Sequence, residues 1–247
     1  MPADNLPIIA AATDSPLLHY DWSDRGVAPR GYTKGMALAF AEAYRLMKAG
    51  DPSAVAAARE RASDAAHDVL DHYAPELAAA GATTATAADR LVSVFSVMMG
   101  LGPRESSGRN CCGPDTPEDR GPPGHPVPTT PENAEAGLFQ VSYDSIAGKA
   151  HRQALVDAYA GRQDLLVEFG EGARCERPGH WPPEVGAGKQ AAFQKQMKEC
   201  PIFAALYTAM FLREQRTHWG PINRKKAEVR RDAVELFTEV KALMDAE

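Results

Sequence analysis

The sequence predicts a mainly α protein. Apolar residues recur at three- and four-residue steps along most of the chain, and capping residues and prolines stand where helices would begin. Strand-like alternation is confined to a short stretch near 138–143. Residues 1–30 hold several Pro, Asp and Ser and read as an extended arm, with Leu17 to Trp22 packed on the body. Thr33 is placed to cap a helix through about Ala49, with Met36, Phe40, Ala43 and Met47 on one face. Gly50 ends it. Asp51-Pro52 then opens an Ala-rich helix towards Tyr73, on which Asp68, Asp71 and His72 read as a solvated face rather than a metal site.

A short helix between Pro75 and Gly81 and a Thr/Ala linker over 82–88 lead into an apolar helix from about Ala88 to Gly100. Gly102-Pro103 breaks its pattern. From Cys111 to Pro131 there are seven prolines in 21 residues, a density that no regular element survives. Asp144 caps a helix through about Ala160, and a shorter one covers 163–170. After a second Gly- and Pro-rich loop over 171–188, helices are predicted at about 188–199, 201–217 and 223–245, with Pro201 at a first helical position.

At 247 residues the chain suits one large domain or two small ones, and 44% hydrophobic residues suffice for a core. A formal net charge of −6 argues against nucleic acid as the main partner. It also provides no long-range attraction to an anionic cell wall, so any glycan would have to be held by a local cleft. No apolar run reaches the roughly 18 residues of a membrane span. The start, Met1 to Ala12, lacks the basic region of a signal peptide.

The functional reading centres on residues 91–143. The apolar run Leu91 to Met99 leads into Arg104-Glu105-Ser106-Ser107-Gly108, and order resumes at Ala134-Glu-Ala-Gly-Leu-Phe-Gln140-Val-Ser-Tyr143. A carboxyl at the end of a buried helix loses hydration and holds its proton to higher pH, as a glycosidase general acid must. Arg104 and Arg109 work the other way, and a glutamate at a helix end is also an ordinary solvated residue. Gly137 permits close backbone approach, and Gln140 offers a donor and acceptors to sugar groups. A hydrolase needs a second carboxylate; of Asp115, Glu132, Glu135 and Asp144, Asp115 lies closest in sequence to Glu105 without sharing its helix.

An apolar helix ending in Glu105-Ser106, followed by Gly137-Leu138-Phe139-Gln140, resembles the lysozyme-like superfamily, with soluble lytic transglycosylases and goose-type lysozymes closest in pattern. The likeness covers about residues 88–145. It implies a lysozyme-like helical domain of the transglycosylase type over 85–247, with residues 1–84 as an N-terminal arm and helical extension packed on it. The implied activity is cleavage of the β-1,4 bond between N-acetylmuramic acid and N-acetylglucosamine in peptidoglycan, with Glu105 as acid and then base. Ser106, Gly137, Gln140, Tyr143 and Tyr207 are implied at the substrate, and no cofactor or metal is implied. The segment around Tyr207 lacks the Asn and Gly usual in the family's third motif, so a core tyrosine is an equal reading. Trp219, before a Gly turn, reads as packed into the body. An inverting lysozyme- or chitinase-type hydrolase that uses Asp115, and a glycan-binding protein without activity, are the alternatives. A muramidase would act in the periplasm or outside the cell.

Four cysteines, Cys111, Cys112, Cys175 and Cys200, are too few for a disulfide scaffold. Adjacent Cys111 and Cys112 are poorly placed to bridge each other. In an exported protein Cys175 to Cys200 is the expected bridge; otherwise the four are thiols.

Overall fold

The computed structural model describes residues 5–60, 67–114, 128–175 and 181–246. Twelve α-helices stand among them: α1 (Leu6–Asp14), α2 (Arg30–Lys48), α3 (Pro52–Ala58), α4 (Val69–His72), α5 (Ala74–Ala79), α6 (Ala87–Ser106), α7 (Ala150–Ala158), α8 (Leu166–Gly170), α9 (Gly188–Glu199), α10 (Pro201–Gln215), α11 (Gly220–Asn223) and α12 (Arg231–Asp245). The one two-stranded sheet among the described residues pairs β1 (Asp21–Trp22) antiparallel with β2 (Gly26–Val27). The mainly α expectation holds, and no helix among the described residues is long and apolar enough to cross a membrane.

Helix α10 is the most enclosed element, buried without interruption from Pro201 to Arg213. Such all-round apolarity is the mark of a central helix. Helix α2 packs against α1, α3, α6, α8, α10 and α12, and twelve of its nineteen residues are buried. The rings of Phe40 on α2, Phe95 on α6 and Phe237 on α12 meet with centroids 5.1 to 5.7 Å apart. A single buried cluster runs from Ile8 to Val240. Helices α1 to α5 thus share one core with α6 to α12.

Several elements depart from the sequence reading. The segment expected as an extended arm forms α1, a 3-10 turn over Pro16–His19 and the β1–β2 hairpin. Thr33 caps nothing: α2 already begins at Arg30, and Thr33 lies buried within it. Asp51 does cap α3, its carboxylate accepting from Ser53 N and Ala54 N at 2.9 and 3.1 Å. That helix stops at Ala58 instead of continuing to Tyr73. Asp144 lies in a 3-10 turn, Tyr143–Ile146, and α7 begins only at Ala150.

The reason α3 and α4 are separate helices is visible at Asp68. Rather than facing solvent, Asp68 is 1% exposed and caps α4 at Leu70 N while holding Arg213 of α10 through two bonds of 2.8 and 2.9 Å. Arg213 spends its other donors on the carbonyls of Ala57 and Arg59, at the end of α3. A continuous helix would supply no free carbonyls there and would point Asp68 elsewhere. Among the described residues no cluster suited to a metal includes Asp68, Asp71 or His72.

Removing one partner of a buried pair strands the other charge. Asp68→Ala is expected to cost about 3–5 kcal/mol in urea unfolding, because Arg213 stays buried without its carboxylate. A loss below about 1 kcal/mol would show that the pair does not hold α4 to α10.

Candidate functional site

The candidate site is built on the last turn of α6. The helix opens with a capping box, in which Thr86 and Asp89 satisfy each other's backbone N–H groups. The sequence pattern breaks at Gly102-Pro103, yet the helix continues to Ser106. Proline at 103 leaves the carbonyl of Met99 without its helical donor. The Tyr32 hydroxyl of α2 lies 2.9 Å from both Met98 O and Met99 O and takes that donor's place. A side chain at residue 102 would occupy this space: a Cβ on Gly102 would stand 2.4 Å from the Tyr32 oxygen. Burial pushes the Tyr32 phenol well above its ordinary pKa, so it stays a donor.

Beyond Ser106 the chain turns through two left-handed residues, Ser107 (φ 55°) and Gly108 (φ 73°), whose amides return to Pro103 O and Gly102 O. Glu105 is therefore carried one residue from the end of the helix, and its side chain is partly buried. Arg104 directs its guanidinium to Ser23 O and Asp24, both at 3.4 Å. Arg109 directs its Nε to Ser106 O at 3.3 Å.

Ser106 ties this turn to the second motif. Its hydroxyl lies 2.8 Å from Leu138 O and 3.1 Å from Gly102 O, and it accepts from Arg109 N at 3.1 Å. Gly137 donates its amide to Cys112 O at 2.9 Å, so the same two chain segments meet twice. At Gly137 (φ 76°) a Cβ would stand 2.3 Å from Met197 O of α9, which leaves glycine as the residue that fits. The stretch with strand-like alternation closes as a tight turn with a lone antiparallel bridge, Ala136 to Val141.

The residues assigned to substrate fall into two groups. Ser106, Gly137, Gln140 and Tyr207 are buried and engaged by the protein itself. Gln140 is left-handed (φ 49°), donates Nε2 to Gly137 O at 2.9 Å, and keeps its Oε1 buried with no partner among the described residues. Tyr207 lies in a line of rings with Phe193, Phe203 and Phe211, and its hydroxyl is 2.8 Å from Ser145 Oγ. Burial pushes its pKa to about 12. Tyr143 is partly exposed, with its ring edge-on to Phe193. Asp115 lies outside the described residues. Trp219 packs inside as expected and donates Nε1 to Phe139 O at 2.9 Å.

No family model, no curated protein and no solved structure matches this chain. The lysozyme-like reading thus rests on the motifs and on how they sit together.

The disulfide differs from the one expected. Cys111 pairs with Cys175, and Cys200 is a buried thiol at the junction of α9 and α10. Burial raises the Cys200 pKa and leaves it inert. Cys112, the other unbridged cysteine, is half-buried with Sγ 3.5 Å from Ser106 O. Sequence reasoning missed Tyr32 and Asn110 as well. Asn110 is buried beside the turn, donating to Lys198 O at 2.9 Å, and its Oδ1 has no partner among the described residues. The signal for Tyr32 was present, since a proline inside a helix demands another donor for the freed carbonyl.

Tyr32→Phe is expected to lower stability by about 1–3 kcal/mol and to speed amide exchange at 104–108, because Met99 O is left buried and unpaired. Unchanged exchange would remove Tyr32 from this role. Thiol titration of the denatured, unreduced protein is expected to find two thiols, Cys112 and Cys200; four would reject the bridge. Cutting a loop of this length is expected to cost about 4 kcal/mol.

Proposed function

We propose that this protein is a peptidoglycan-cleaving glycosidase of the lysozyme-like type, acting as a lytic transglycosylase with Glu105 as its single catalytic carboxyl. The observation that carries the reading is the bond from Ser106 to Leu138, which joins the two motif segments, more than thirty residues apart in the chain, at the half-buried Glu105. Ser106 and Gln140 then serve as positioning residues, holding the turn against α6, while Tyr143, the partly exposed aromatic residue of the second motif segment, is assigned to a sugar face.

In the proposed reaction the Glu105 carboxyl gives its proton to the glycosidic oxygen as the bond from C1 of N-acetylmuramic acid breaks. N-acetylglucosamine leaves as the alcohol. The C6 hydroxyl of the muramic residue then bonds to C1, and its proton passes to the Glu105 carboxylate. The ring closes as a 1,6-anhydro sugar, no water is consumed, and the acid is regenerated. An inverting route would need a second carboxylate to activate water, the part that Asp115 would play. The Cys111–Cys175 bridge suits an oxidising compartment, where such a substrate is met.

Glu105→Gln keeps the shape of the side chain and removes the acid. Turnover of purified peptidoglycan is expected to fall about 100- to 10,000-fold with thermal stability unchanged. Mass spectrometry of the released muropeptides is expected to find anhydro ends, lighter by one water than reducing ends. Reducing ends, with a dead Asp115→Asn variant, would replace the transglycosylase by an inverting hydrolase. Binding without any cleavage would leave a glycan-binding protein.

A further inference from the structure

Directly past Glu105 the chain enters a hollow lined by arginines. Ser107 lines a concavity of about 480 Å³ whose wall also carries Arg30, Arg109, Arg174, Val27 and Gly172. In a chain of net charge −6, three guanidinium groups on one hollow are an inversion of the average. Of the acidic side chains near Arg30 and Arg174 in sequence, Glu171 holds Lys34 at 3.0 Å and Asp24 meets Arg104 at 3.4 Å. Arg109 spends one donor on Ser106 O, a neutral acceptor, at 3.3 Å.

The three come from separate chain segments that the fold fastens together. Gly31, next to Arg30, donates to Glu171 O at 2.8 Å and approaches 168–171 so closely that a Cβ would stand 2.3 Å from Glu168 O. The Cys111–Cys175 bridge, with Cα atoms 6.0 Å apart, anchors the residue after Arg174 to the segment that carries Arg109. Gly108 brings the end of α6 against Tyr32, Ala28 and Pro29, where a Cβ would lie 3.1 to 3.3 Å away. Covalent and backbone ties thus hold Arg30, Arg109 and Arg174 around one hollow.

Guanidinium forks recognise planar carboxylates through paired hydrogen bonds. We infer that Arg30, Arg109 and Arg174 form a carboxylate-binding subsite for the peptide stems of the glycan, so that the site selects peptide-bearing peptidoglycan over a neutral aminosugar polymer. This rests on the glycan-cleaving reading above and adds its substrate class. The subsite begins at Ser107, two residues along the chain from Glu105, so a stem bound there would fix the register of the glycan at the acid. Sugar contacts alone would not distinguish peptidoglycan from chitin.

The test is calorimetric binding to the Glu105→Gln protein, which does not consume its ligand, at low salt. Three probes of equal length are compared: chitohexaose, glycan strands stripped of peptide but keeping the lactyl carboxylate, and strands with intact stems. Intact strands are expected to bind about tenfold tighter than chitohexaose. Arg30→Ala with Arg174→Ala is expected to erase that difference while leaving chitohexaose binding as it was. Lysine at both positions should restore the affinity only in part. Reduction of the disulfide is expected to weaken binding of intact strands, since it releases Arg174. Equal affinity for all probes, no binding, or an equal loss for chitohexaose in the arginine variant would overturn the subsite. Stripped strands that bind as tightly as intact ones would assign the arginines to the lactyl carboxylate and overturn the stem assignment. Cleavage is scored separately on the unaltered protein: if it cuts none of the probes yet binds stems through the arginines, the glycosidase reading falls and the subsite stands.

Discussion

The placement of Glu105 depends on one buried hydroxyl. Proline at 103 takes a donor out of α6 one turn before its end, and Tyr32 of α2 restores one from outside at 2.9 Å. Without that bond the helix would have reason to stop near Gly100, and the glutamate would lie on a loop. With it, the last turn stays helical, and Glu105 is carried on α6 rather than on a loop. The bond also makes α2 part of the site. A helix from the first fifth of the chain reaches the turn through Tyr32, and it carries Arg30 to the neighbouring hollow.

The same logic of supplied partners recurs away from the site. Arg213 and Asp68, each 1% exposed, hold the ends of α3, α4 and α10 in one knot of hydrogen bonds. Arg152, 2% exposed, pairs with Glu214 at 2.8 Å and also donates to Ser145 O, close to the 137–140 turn in sequence. Burial raises the Glu214 pKa, but the bonds from Arg152 and His151 outweigh it and hold the carboxyl below its ordinary range. Removing one partner of either pair would strand a buried charge. Each is tolerable only in the one packing that satisfies it.

Around Glu105 the backbone contributes as much as the side chains. Ser107, Gly108, Gly137 and Gln140 all have positive φ, a concentration of left-handed residues where two segments must turn sharply and touch. Gln140 shows what this geometry does to a motif residue. Its amide turns inward to its own turn at Gly137, so its contribution is to the shape of the loop, with one acceptor left buried and unanswered among the described residues.

The mainly α class, the apolar run of α6, the Asp51 cap, the Pro201 start and the packing of Trp219 were legible because each rests on local periodicity or capping chemistry. What local rules mispredict is equally specific. Pro103 reads as a helix breaker because its compensating donor sits 71 residues earlier in the chain. Asp68 reads as solvated because Arg213 is 145 residues away. Cys175 reads as a partner of Cys200 by proximity, whereas the fold brings it to Cys111. The sequence by itself determined which segments can be helical and where several of them begin. Only the tertiary structure decided which distant group satisfies each buried donor, acceptor or charge, because that choice depends on contacts between helices that no local pattern encodes.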